Sequence, residues 1–129
     1  MVILDTNIII DHLRTKNKTR ESILLQFVRR QPNQILAVSI LSVQELYEGQ
    51  STRKKSAEQA LLAVLSPLHV LPYTFSIAQQ AGCLARDLHQ PIELADAAIA
   101  ATALEHNASL LTLNTKDFQE IAELELLPL

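Results

Sequence analysis

The stretch VILDTN, residues 2–7, sets three apolar residues directly before an aspartate, a threonine and an asparagine. A short apolar run of this kind reads as a strand buried on both faces, the form found in parallel sheets. In an open parallel α/β sheet, ligands bind beyond the carboxyl ends of the strands. Asp5 therefore stands where a site residue would stand. It also stands where it can cap a helix beginning near Ile8, and this stretch alone leaves both roles open.

Outward from there the pattern alternates. Residues 2–5, 35–39, 69–73 and 109–113 read as strands, and 124–129 as a fifth. Helices are expected over 7–14, 20–31, 42–49, 56–67, 76–90 and 94–107. The segment 94–107 is alanine-rich, and Asn107 suits a left-handed cap. Strands separated by helices imply right-handed crossovers and a parallel sheet covered on both faces. No repeat, linker or low-complexity tract interrupts the 129 residues, so one α/β domain spanning 1–129 is expected.

Composition excludes several classes. With 48% hydrophobic and 19% charged residues the chain is of ordinary globular type rather than disordered. No apolar run is long enough to span a bilayer, and no basic segment opens a signal peptide, so a cytoplasmic protein is expected. Cys83 has no cysteine partner, and it falls within an apolar helical pattern that reads as core. Two glycines, Gly49 and Gly82, cannot write a dinucleotide fingerprint or a phosphate-binding loop. Charge is uneven. Residues 1–55 hold nine of the eleven Lys/Arg and five of the fourteen acids, leaving that part at +4 and the rest at −7.

Three further acids occupy positions comparable to Asp5. Glu45 lies in the first turn after the second strand, although Ser42 to Glu45 also matches a capping box. Asp96 lies in the first turn of the alanine-rich helix, where the macrodipole favours a negative charge. Asp117 follows the fourth strand and could serve as a turn residue. Like charges gathered at one sheet edge need a cation, and oxygen ligands select Mg²⁺ or Mn²⁺. Such ions serve phosphoryl chemistry.

The segments VILDTNIIIDHLR, SILSVQELYEG and LADAAIAATALEHNASLLTLNTKDF together resemble the PIN-domain family, closest to the small VapC-type toxins of type II toxin–antitoxin pairs. The resemblance covers essentially the whole chain. It implies a three-layer fold with a central parallel sheet of four or five strands. It also implies an endoribonuclease whose acids hold one or two Mg²⁺ or Mn²⁺ ions. By motif position Asp5, Glu45, Asp96 and Asp117 are the implied catalytic and metal-ligating acids, with Asp5 and Asp96 principal. Thr6, Asn7 and Asn114 match supporting positions. Of the neighbouring acids, Asp11 and Glu48 are expected to face solvent, and Glu93 either shares the face of Asp96 or merely precedes its helix.

The expected reaction is in-line attack of metal-activated water on phosphorus, leaving a 5′-phosphate and a 3′-hydroxyl. His12, His69, His89 and His106 form no local pair, which disfavours a metal-free mechanism. Arg14, Lys16, Lys18 and Arg20, with Arg53, Lys54 and Lys55, are the cations available to RNA phosphates; solvated helix ends explain the same clusters. The D-T-N of residues 5–7 lacks the D-x-D of haloacid-dehalogenase-type phosphatases. A PIN-like nuclease or RNA-binding module outside a toxin–antitoxin pair remains the competing reading. The resemblance implies a small antitoxin. Apolar residues on a wide arc of helices 20–31 and 56–66 suggest a homodimer, with the antitoxin along those helices.

Overall fold

The computed structural model describes residues 1–15 and 17–129. Four strands, β1 (Val2–Leu4), β2 (Leu36–Ser39), β3 (His69–Leu71) and β4 (Ser109–Leu111), form one parallel sheet in the order β3-β2-β1-β4. Among the described residues six α-helices connect and cover it: α1 (Thr6–Thr15), α2 (Ile23–Arg30), α3 (Ile40–Glu48), α4 (Lys55–Leu65), α5 (Phe75–Asp87) and α6 (Leu94–Glu105). The chain moves from β1 to one side through β2 and β3, then crosses back to place β4 on the other side of β1. The order therefore reverses between β1 and β4, and a crevice opens there at the carboxyl ends.

Alternation along β1 builds the three layers. Val2 and Leu4 point to a core shared with Ile8 and Ile9 of α1, Leu24 and Phe27 of α2, and Leu61 and Leu65 of α4. Ile3 points the other way, into a core with Ile99, Ala100 and Ala103 of α6 and with Phe118 and Ile121. All three β1 residues are buried, as a central strand of apolar residues requires. The small alanines of α6 let that helix lie against the sheet, and every residue from Ala97 to Ala103 is buried. Asn107 ends α6 in the left-handed conformation, with φ 50°. The Ala108 N–H then reaches back to the Ala103 carbonyl at 2.8 Å, a Schellman closure.

Several boundaries and one element differ from the sequence reading. The segment 124–129 adds no fifth strand. Leu126 makes a single parallel bridge to Leu110 on the outer edge of β4, where the Leu110 N–H donates to the Glu125 carbonyl at 2.9 Å and the Leu127 N–H to the Leu110 carbonyl at 3.0 Å, and the pairing goes no further. Helix α3 starts at Ile40, because Ser39 caps it by accepting the Leu41 N–H at 3.1 Å. Ser42 is therefore inside the helix and is not its cap. Cys83 is exposed, not core. The buried face of α5 is set by Ile77 and Ala81, one turn apart, and residue 83 lies off that stripe. Asp11 does not face solvent freely. Its carboxylate accepts from Arg20 at 2.6 Å and from the Ile23 N–H at 2.9 Å, joining α1 to the start of α2.

Candidate active site

Asp5 follows β1 directly, and Thr112 follows β4 at the same offset, since Leu4 pairs with Leu111. Their side chains meet across the switch point. The Thr112 hydroxyl donates to Asp5 Oδ2 at 2.7 Å, with both residues buried. Thr112 Oγ1 also accepts the Asn114 N–H at 3.0 Å and the Asn7 amide at 3.4 Å. Asn7 Oδ1 in turn accepts the Leu113 N–H at 3.2 Å. The start of α1 is thus tied to the turn that leads to Asp117, and Asp5 is held in one orientation.

Glu45 is held from the other side. Its Oε1 lies 2.6 Å from Thr6 Oγ1, which is 2.8 Å from Ser42 Oγ. A carboxylate only accepts, so the single Thr6 proton goes to Glu45 and Ser42 donates to Thr6. This contact replaces the capping-box role that the Ser42–Glu45 spacing suggested. The capping of α1 by Asp5 and its place in the site are compatible, because the Thr6 and Asn7 N–H groups also face its carboxylate.

Asp5, Glu45, Glu93, Asp96 and Asp117 line one cavity of about 440 Å³, together with Thr6, Asn7 and Asn114. All four sequence-selected acids and all three supporting residues are therefore brought together. Glu93 is the N-cap residue of α6 and joins them from just before the helix. Among the described residues no Lys, Arg or His lines this cavity. The electrostatic cost is visible in the titration of the acids. Burial raises the Asp5 pKa above the usual carboxylate value, Asp117 adds to the rise, and the Thr112 and backbone hydrogen bonds oppose it. Burial, followed by the charges of Asp5, Asp117, Glu45 and Glu93, pushes Asp96 up to about 6.

This chemistry fits a hard divalent cation, which would relieve the mutual repulsion. Among the described residues no three of these side chains converge tightly enough to cage an ion alone. Mg²⁺ is ordinarily held by one or two carboxylates, several waters and substrate phosphate oxygens, so an open acid-lined cavity suits it.

The profile of the PIN domain family matches residues 2–124. The chain belongs to the PIN domain family. It is 33% identical over 128 residues to Ribonuclease VapC10 of Mycobacterium tuberculosis, spanning 97% of this chain and 91% of that protein. Among solved structures it resembles VapBC-1 from nontypeable Haemophilus influenzae, with a TM-score of 0.80 and 31% identity over 98% of this chain and 97% of that one. It also resembles VapBC2 from Rickettsia felis bound to a promoter DNA fragment, with a TM-score of 0.79 and 29% identity over 98% of each chain.

The cations fall in different places. Arg14 lines a groove that adjoins the acid cavity through Ile10 and Glu45, and Arg53, Lys54 and Lys55 are exposed just beyond the Gln50–Thr52 wall of that groove. Lys18 and Arg20 border a separate apolar groove, and Arg20 is engaged by Asp11. Lys16 lies outside the described residues. Sequence reasoning missed Thr112. The available signal was its offset, one residue past an apolar strand, which matches that of Asp5.

Proposed function

We propose that residues 1–129 form one nuclease domain, a Mg²⁺- or Mn²⁺-dependent endoribonuclease that acts as the toxin of a type II toxin–antitoxin pair. The observation that carries this reading is a cavity lined, among the described residues, by five carboxylates and no basic side chain, at the carboxyl edge of a parallel sheet. The 33% identity to a protein named a ribonuclease supports the substrate class.

Asp5 and Asp96 would hold the metal, with Glu45 and Asp117 completing the set. When bound, the ion supplies Lewis acidity to the phosphate and lowers the pKa of water. The chain's own residues do the rest. Thr112 fixes the Asp5 carboxylate, and Thr6, backed by Ser42, fixes Glu45. Asn7 braces the turn carrying Asn114. Asp96, with its pKa near 6, is poised to exchange a proton near neutral pH until a cation takes its place. Arg14, Arg53, Lys54 and Lys55 flank the cavity as phosphate contacts that read little sequence. Lys18 and Arg20, on the separate groove, would add phosphate contacts farther out; Lys16 lies outside the described residues.

The antitoxin reading draws support from the toxin–antitoxin complexes among the structural relatives. The surface that suits such a partner is the groove of about 690 Å³ between α2 and α4, lined by Leu24, Leu25, Val28 and Val64. Leu25 and Leu62 on these helices are 46% and 49% exposed. A homodimer acting in the cytoplasm completes the proposal. No helix among the described residues is long and apolar enough to cross a membrane.

The test is cleavage of single-stranded RNA by wild type, Asp5→Asn and Asp96→Asn, in Mn²⁺ and in EDTA. Cleavage by wild type in Mn²⁺ alone, lost in both variants, is expected. Robust cleavage in EDTA by the purified chain would overturn the mechanism. Co-expression with the product of the adjacent upstream gene should inhibit the activity.

A further inference from the structure

The loop between α5 and α6, residues 88–93, supplies three lining residues to the acid cavity, Pro91, Ile92 and Glu93. It leads within a turn to Asp96. The loop has little regular structure of its own to fix it. Pro91 has no N–H to give, and the two N–H groups before it both go to one side chain outside the cavity. Glu120 Oε2 accepts the His89 N–H at 2.7 Å and Oε1 accepts the Gln90 N–H at 3.1 Å. The His89 ring adds a third contact, Nδ1 to Oε2 at 3.0 Å. These bonds hold the Glu120 carboxyl below its usual pKa, so it is charged and the bonds are charge-assisted.

Glu120 is itself on a fixed support. It lies three residues after Asp117, between Phe118 and Ile121, which are 1% and 3% exposed in the core beneath α6. One side chain therefore joins the turn that carries Asp117 to the loop that leads to Glu93 and Asp96.

We propose that Glu120 is a positioning residue that clamps the α5–α6 loop to the Asp117 turn and so sets the spacing of the acids across the cavity. It acts through the loop, touching neither substrate nor metal. This rests on the metal-dependent nuclease reading. It predicts that losing the clamp weakens metal binding without unfolding the chain, because a metal site depends on the groups that orient its ligands.

The experiment compares wild type, Glu120→Ala and Glu120→Gln. Mn²⁺ is titrated with detection by electron paramagnetic resonance. Amide exchange is followed at His89 and Gln90, and RNA cleavage is measured over a range of Mn²⁺. Glu120→Ala should lose protection at both amides and bind Mn²⁺ about tenfold more weakly. Excess Mn²⁺ should restore its turnover, which would not follow from a general loss of structure. Glu120→Gln keeps an uncharged acceptor of the same shape and should fall between, and it decides the matter if the alanine variant does not fold. Wild-type Mn²⁺ affinity in the folded variants, or turnover that excess Mn²⁺ does not restore, would overturn the clamp alone. A wild-type chain that binds no Mn²⁺ would overturn the nuclease reading first.

Discussion

Replacing Asp96 by Asn should stabilise the metal-free protein while destroying its activity. The Asp96 carboxyl rises from an ordinary 3.8 to about 6, through burial and then through its acidic neighbours. At about 1.4 kcal/mol per unit, that gap corresponds to roughly 3 kcal/mol against the charged form. Asp96 is only partly buried, so solvent screening reduces the expected effect to about 1–2 kcal/mol. Between the two pKa values the folded chain holds more protons than the unfolded chain. Stability therefore falls as pH rises through that window, and the full penalty is present above about pH 6. Asparagine keeps the shape and carries no charge. In EDTA at pH 8, Asp96→Asn should melt roughly 3–8 °C above wild type, by the scaling of stability to melting temperature for a chain of this size. Near pH 4 the two curves should converge. Saturating Mn²⁺ should raise the wild type and leave the variant nearly unchanged. Circular dichroism melts across pH in EDTA and in Mn²⁺ provide the assay. A variant that melts at or below wild type at pH 8 in EDTA would refute the argument that burial and the neighbouring acids penalise the charged Asp96 carboxylate.

Other substitutions probe different parts of the chain. Thr112→Val removes the donor to Asp5 Oδ2 and should weaken Mn²⁺ binding by about 10–100-fold, measured by titration calorimetry. Asn107→Ala places a Cβ-constrained residue in the left-handed region and should cost about 1 kcal/mol in denaturant unfolding, whereas Asn107→Gly should not. Joint replacement of Leu25 and Leu62 by Asp should abolish capture of the upstream gene product in a pull-down while RNA cleavage persists.

Much of the fold was legible because the strands are short apolar runs bounded by polar residues. The alternation of strand and helix then leaves few topologies. Asp5, Glu45, Asp96 and Asp117 were legible as candidate site residues because each stands at a strand end or in the first turns of a helix, and the cavity gathers all four. What surrounds them was harder to read, because it depends on contacts between distant residues. Glu45 looked like a capping residue in its local spacing. Its actual partner, Thr6, is thirty-nine positions away. Asp11 read as solvated because Arg20 reaches it only once α1 and α2 pack. Cys83 and the expected fifth strand failed for another reason. In both, local hydrophobicity suggested burial or pairing, but Cys83 lies off the buried stripe of its helix and 124–129 meets β4 at one bridge only.

The reversal of strand order between β1 and β4 also governs when the molecule can become active as it is made. Asp5 is synthesised 107 positions ahead of its hydroxyl donor, Thr112, and the last of its acidic companions comes at 117. Until β4 has been synthesised, one edge of β1 has no partner strand, and the site lacks one wall. A growing chain can assemble β1, β2 and β3 with their helices and still hold no complete set of acids. For an enzyme that would cut RNA, this order of assembly spares the message being translated, since the nascent chain stays inert until nearly all of this domain has emerged.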